Sequence, residues 1–297
     1  MRPVHMGLAF LIVFVWGTNF VVIKTALRDF PPFLLALMRF FFSAVPFIFF
    51  FKRPPGRWRW LVVYGVLLGV GQFALLFLAL RADMSPGLAS LVIQTQVFFT
   101  IGLSMMLFHE RASRIALAGL VLAAAGLAVI GWHLDASITP KGVVLVLFAA
   151  FFWACANVVV KKASREAGAR IDMLAFVAWS SLFAAPPLAA MTLAVDGGPA
   201  VWHAVMNARW DGWAAVAWQV IGNTLFAYVA WSWLLTRYDA AIVVPWALLV
   251  PVFGMGASSL LLGEALPPWK LAAAAMVIGG VAVGTIIPIL RTHRRIR

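Results

Sequence analysis

An all-helical membrane protein is the fold class this sequence predicts, and three observations carry that prediction. Hydrophobic residues make up 64% of the 297-residue chain and charged residues 11%, at a mean hydropathy of +0.99. Soluble domains are about half apolar and about a quarter charged, so lipid must cover most of this surface. Apolar stretches of about 19–25 residues recur along the chain, the length at which a helix crosses a bilayer. The basic residues gather in the short connections between those stretches.

The stretches lie near 6–27, 32–51, 60–80, 85–108, 113–132, 141–161, 173–194, 212–236, 240–262 and 268–290, ten in all. The first resembles a secretion signal in length, but it contains Asn19 and Lys24 and no small-residue cleavage site follows it. It is read as a retained helix. Proline opens several spans, at Pro31-Pro32, Pro86, Pro140 and Pro267-Pro268, where its missing N–H has no helical partner to lose. Gly65-x3-Gly69 and Gly280-x3-Gly284 predict close helix approach. The ninth span contains Pro245 and Pro251, which free the carbonyls of Ala241 and Ala247. The break either hinges, offers an oxygen to a ligand ammonium, or is a fixed kink satisfied by neighbours. Trp58, Trp60, Trp132, Trp202, Trp210 and Trp269 fall at predicted ends and read as interface anchors.

The formal net charge is +13. Because the basic residues sit between apolar spans, they are orientation signals rather than a nucleic-acid surface. With the N-terminus inside, sixteen Lys and Arg residues fall on the inner side and six on the outer, so both termini are expected to be cytoplasmic. The single cysteine, Cys155, excludes an intrachain disulfide. The five histidines show no ligand spacing, and His109-Glu110 fails as a zinc-protease motif because position 113 is Ser. No metal and no cofactor is expected.

The chain also echoes itself. Glu110 closes the fourth span and Glu264 the ninth; Gly126 and Gly280 each follow 16 residues later. Arg81-x-Asp83 precedes the fourth span and Arg237-x-Asp239 the ninth, while Trp16/Lys24 and Trp153/Lys161 are both spaced by eight. Two halves result, 1–134 and 135–297, each with five spans. An odd number of crossings turns the second half upside down relative to the first, the inverted repeat from which many transporters build two gates around a midplane site. The competing reading is chance likeness among apolar helices.

The run Val15-Trp16-Gly17-Thr18-Asn19-Phe20-Val21-Val22-Ile23-Lys24 resembles the first helix of the EamA branch of the drug/metabolite transporter superfamily. Further matches are Leu37-Met38-Arg39-Phe40, Gly87 to Val92, Gln94 to Thr100, Phe152 to Asn157 and Leu248 to Val252, so the resemblance spans nearly the whole chain. It implies two inverted five-helix repeats, with spans 1, 3, 4, 6, 8 and 9 around a central cavity and spans 5 and 10 supporting them. It also implies a monomeric inner-membrane exporter of small amino acids and related metabolites in a bacterium, working by alternating access. Efflux of other small or cationic compounds, driven by protons, is the alternative. A membrane-embedded enzyme would need a cluster of acids, a metal set or an activated nucleophile, and the sequence presents none.

Polar groups inside lipid are costly, so each is a candidate for function. Those expected to bind substrate are Asn19, Gln72, Gln94, Gln96, Asn157, Gln219, Asn223 and Tyr228, with Trp16, Trp153 and Trp246 as aromatic walls. Neutral amides hydrogen-bond both the carboxylate and the ammonium of an amino acid without fixing a charge in lipid. The alternative for each is bonding between helices. Trp153, Asn157 and Lys161 share one helical face, as do Gln96, Thr100 and Ser104. Arg39 is the one charge well inside a span; it either snorkels or pairs structurally, or it binds a substrate carboxylate. All ten acidic residues fall in loops or at span ends. Without an embedded proton carrier, facilitated diffusion is expected.

Overall fold

The computed structural model describes residues 1–108, 114–133, 139–167, 171–237 and 244–295. Among them every regular element is a helix. The first, α1, is Pro3–Ala26, and α2 is Pro32–Ala44, followed by a 3₁₀ turn at Phe47–Phe49. α3 runs without interruption through Trp58–Val66, Leu67–Ala74 and Leu75–Ala82, and α4 through Pro86–Val92, Ile93–Thr95 and Gln96–Phe108. α5 is Arg114–Trp132, α6 Pro140–Ala167 and α7 Met173–Val195. A short α8, Gly198–Asn207, precedes α9, which joins Trp210–Trp218, Gln219–Tyr228 and Val229–Arg237. α10 joins Val244–Leu249 to Val250–Leu262, and α11 is Pro268–Arg295.

Six helical spans among the described residues are long and apolar enough to cross a bilayer: Pro3–Ala26, Pro32–Phe49, Trp58–Arg81, Pro86–Leu107, Pro140–Ala167 and Met173–Val195. The other expected spans fall on α5, α9, α10 and α11. The second span was expected to run to 51 as one helix; instead α2 stops at Ala44, because Pro46 has no N–H to return to the ladder. α8 was not expected at all: Gly197, at φ +77°, breaks the chain after α7 and Pro199 starts a new helix. Asp172 caps α7, accepting from the backbone N–H of Leu174 at 2.9 Å and Ala175 at 3.3 Å. His109, Glu110, Tyr238, Asp239 and Ala241 lie outside the described residues.

Two interior helices loosen at comparable places. Leu67–Ala74 in α3 and Gln219–Tyr228 in α9 are π-helical, each starting nine residues after the tryptophan that opens its helix, Trp58 or Trp210. The two helices that follow, α4 and α10, carry 3₁₀ segments at Ile93–Thr95 and Val244–Leu249. Departures from α geometry in mid-helix often accompany functional sites, and these four face the same interior.

Polar groups tie the helix ends together. Lys24, near the end of α1, donates to the carbonyls of Leu80 (2.6 Å) and Arg81 (3.1 Å) at the end of α3. Asp83 there takes Thr139 (3.0 Å) and Lys141 (3.0 Å) from the start of α6. Glu264, after α10, accepts from Ser85 (2.5 Å), the Gly87 N–H (3.1 Å) and Lys270 (2.7 Å). Asp29, after α1, pairs with Arg209, ahead of α9. At the opposite end Glu166, near the end of α6, accepts from Trp60 (2.9 Å) and Arg59 (3.2 Å) at the start of α3, and Trp179 donates to the Phe51 carbonyl. The end of α1 and the start of α6 thus share one end of the bundle. Trp58, Trp132 and Trp210 stand exposed at helix ends, and Trp202 stands exposed on α8.

Close helix contacts rest on small residues. α3 packs on α7 where a Cβ added at Gly65 would strike the Ser180 carbonyl oxygen. α11 packs along α5 where a Cβ at Gly280 would lie 2.5 Å from the Gly119 carbonyl oxygen. Backbone cannot yield as a flexible side chain does, so Gly65→Ala is expected to destabilise the fold by about 1–3 kcal/mol. Gly7, with nothing near its would-be Cβ, supplies the control. Thermal unfolding in detergent should show a lowered midpoint for Gly65→Ala and none for Gly7→Ala.

Candidate functional site

Arg39 on α2 is 1% exposed, and its side chain turns into the bundle rather than out to the interface. One guanidinium nitrogen, Nη1, donates to Gln219 Oε1 at 2.6 Å, and the guanidinium carbon sits 3.7 Å from the Phe73 ring centroid. No carboxylate lies within ion-pair distance of it among the described residues. A guanidinium has donors only, so it obliges Gln219 to present its oxygen. The Gln219 Nε2 then faces Asn19 and donates to its Oδ1 at 2.7 Å. Asn19 (3.4 Å) and Asn223 (3.3 Å) donate back to Gln219 Oε1. One buried charge thereby sets the direction of the amides on α1 and α9.

Beside this network lies a cavity walled by Trp16, Asn19, Phe20 and Ile23 of α1, Gln72, Phe73 and Leu76 of α3, and Ile93 and Gln94 of α4. Trp153 of α6, Asn223 and Tyr228 of α9, and Ala247 and Val250 of α10 complete it. Seven of the residues singled out in the sequence therefore meet here: Trp16, Asn19, Gln72, Gln94, Trp153, Asn223 and Tyr228. Gln94 donates its Nε2 to the Ala247 carbonyl at 3.3 Å, the oxygen that Pro251 frees from its helix. Of the readings open for that carbonyl, satisfaction by a neighbour is the one observed. Trp16 Nε1, Gln72 Oε1 and Gln94 Oε1 are buried without a protein partner.

Five of the candidates do not line this cavity. Gln219 stands behind its wall, 0% exposed, consumed by Arg39 and Asn19. Arg39 lines a small neighbouring space with Tyr64, Phe73, Thr224 and Tyr228. Gln96 and Asn157 are not among its walls either: Asn157 Nδ2 donates to Gln96 Oε1 at 3.2 Å and to Thr100 at 3.4 Å. That bond joins α4 to α6. Trp246 is partly buried and packs into the apolar core outside the cavity. The side chains of Lys161, Ser104 and Pro245 lie outside the described set.

The residues missed have a simple pattern on α1. Positions 16, 19, 20 and 23 share one face, so placing Asn19 in a cavity implies Phe20 and Ile23. On α9, Asn223 and Tyr228 are five apart. That spacing puts both on one face only because the helix is π-wound there, as the Thr224 hydroxyl bond to the Gln219 carbonyl, five residues back, also reflects.

Residues 5–132 and 140–286 each match the pattern of the EamA-like transporter family. A probable amino-acid metabolite efflux pump of Salmonella typhimurium is 39% identical over 282 residues, covering 93% of each chain. One of the same description from Escherichia coli is 38% identical over 282 residues, again covering 93% of each. A crystal structure with 20% sequence identity superposes with a TM-score of 0.64, covering 97% of this chain and 98% of the other, which establishes likeness of fold. With two matched repeats and full-length relatives behind it, the chain belongs to the EamA-like transporter family.

Proposed function

We infer that this transporter, which is not an enzyme, exports small amino acids and related metabolites across a bacterial inner membrane. Substrate occupies the amide- and indole-walled cavity, and the protein works as a monomer by alternating access. The single observation that carries the reading is the cavity itself: residues of both halves line it, and it holds buried polar atoms that no protein group satisfies. Kinship to proteins described as probable amino-acid metabolite efflux pumps supports the substrate class. Among the described residues no carboxylate lines the cavity, which disfavours a site for lipophilic cations.

The architecture we propose is ten membrane spans in two inverted repeats, 1–134 and 135–297. The matched π segments in α3 and α9, and the meeting of the end of α1 with the start of α6, support it. Inverted repeats supply two equivalent gates around one site. Lys52, Arg53, Arg57, Arg59, Lys162 and Arg165 gather at the end where Glu166 meets Trp60, and that end is proposed to be cytoplasmic along with both termini.

Orientation has a direct check. With Cys155 replaced by alanine, Pro55→Cys and Arg165→Cys should resist a membrane-impermeant maleimide in intact cells, while Asn207→Cys should react. Fast external labelling at 55 and 165 would reverse the assignment. Transport is tested with purified protein in sealed proteoliposomes and labelled L-alanine, L-serine, L-cysteine, L-valine and L-phenylalanine. Uniport predicts equilibration of at least one small amino acid at equal pH, unaffected by a protonophore. Accumulation driven by a pH step and abolished by the protonophore would refute uniport, and absence of flux across the panel would refute the substrate class.

A further inference from the structure

Two residues that line the cavity each carry a buried, unpartnered atom whose chemistry is unambiguous. Gln94 commits its Nε2 to the Ala247 carbonyl, which only accepts, so the atom left without a partner is the acceptor Oε1. Trp16 presents Nε1–H, a donor with no capacity to accept, and it too is unmatched. The residues are 2% and 9% exposed. A buried polar atom with no partner costs free energy, so each marks a place for a ligand group of the opposite character. Gln72 Oε1 is also unmatched, but nothing fixes which way that amide faces, and it carries none of the argument.

The surroundings of these two atoms differ in charge. Arg39 and the cavity share Tyr228 and Phe73 as walls, and the Tyr228 ring lies 5.2 Å from that of Trp16. Asn19, one helical turn from Trp16, is joined to Arg39 through Gln219. The Trp16 side is therefore biased toward an anion by a cation with no carboxylate in ion-pair distance among the described residues. Around Gln94 the wall is Ile93, Ala247 and Val250, with no cation among the residues that form it.

We propose that the cavity takes its substrate as a zwitterion in a single orientation, with the α-ammonium on Gln94 Oε1 and the α-carboxylate on Trp16 Nε1. The side chain then packs against Phe20, Ile23 and Leu76. This deepens the amino-acid reading above and rests on it. It assigns rejection of amino-group-free acids to Gln94 and rejection of carboxylate-free amines to Trp16. Gln94 and Trp16 are specificity determinants with separable effects, because each recognises one charged end.

The test measures competition against labelled L-alanine flux in proteoliposomes by unlabelled L-alanine, propionate (no ammonium) and L-alaninamide (no carboxylate). Wild type should disfavour both analogues by about tenfold or more, the scale of one hydrogen bond to a charged group. Gln94→Leu should bring propionate to within about threefold of alanine while L-alaninamide keeps its handicap; Trp16→Phe should do the reverse. Gln94→Met, which preserves length, replaces Gln94→Leu if that variant does not fold. Equal changes toward both analogues, or unchanged ratios in both variants, would overturn the orientation while leaving amino-acid transport standing. Wild type that moves no L-alanine but does move another small amino acid would overturn this seating of the side chain, and wild type that moves none would overturn the substrate class beneath it.

Discussion

Arg39 carries a permanent charge in the interior of an apolar bundle, and a neutral amide receives it. Burying an ion without compensation is expensive, and here the compensation is a 2.6 Å bond to Gln219 Oε1 and the face of Phe73 at 3.7 Å. Much of the polar interior follows from that bond. Gln219 cannot flip without presenting N–H to a cation, so it must donate toward Asn19, and Asn19 must answer with its oxygen. The helices α1, α2 and α9 are held in register by the direction of these bonds as well as by packing. In a low-dielectric site such a chain is stronger than its separate links. Gln219 is accordingly a positioning residue behind the cavity rather than part of its wall.

The same logic separates structural from available amides. Gln96 and Asn157 are tied across α4 and α6 by the bond from Asn157 Nδ2 to Gln96 Oε1. Gln94, two residues from Gln96, is used on one atom only, because the carbonyl that Pro251 releases takes its N–H₂ and leaves the oxygen unmatched. Whether an amide in a membrane helix is glue or a binding group is thus decided atom by atom. The proline break and the 3₁₀ turn at Ile93–Thr95 are what bring Gln94 and Ala247 face to face.

Four non-α segments, two π-wound and two 3₁₀, sit in α3, α4, α9 and α10 and supply much of the cavity wall. Under the proposed alternating-access cycle, such segments are places where a helix can change pitch at low cost. Ion pairs at the bundle ends would open and close around them. The Glu264 cluster closes the start of α4 against α10 and α11.

Composition and span length alone determined that this chain is helical and embedded in lipid, because an excess of apolar residues in bilayer-length runs has no other stable outcome. Motif runs such as Val15–Lys24 also indicated the family, and the depth of Trp16, Asn19, Gln72 and Gln94 in their spans marked them as interior. Only the tertiary structure decided which interior amides meet a cavity and which meet one another. Asn157 and Asn223 look alike in sequence, yet one bonds Gln96 outside the cavity wall and the other lines the cavity. Periodicity at 3.6 residues per turn does not anticipate a π segment, so the shared face of Asn223 and Tyr228 was not legible. Nor did the sequence disclose that Arg39 turns inward, since a long side chain inside a span can reach out to the interface or into the bundle, and the acceptor that chooses between them lies 180 residues away on another helix.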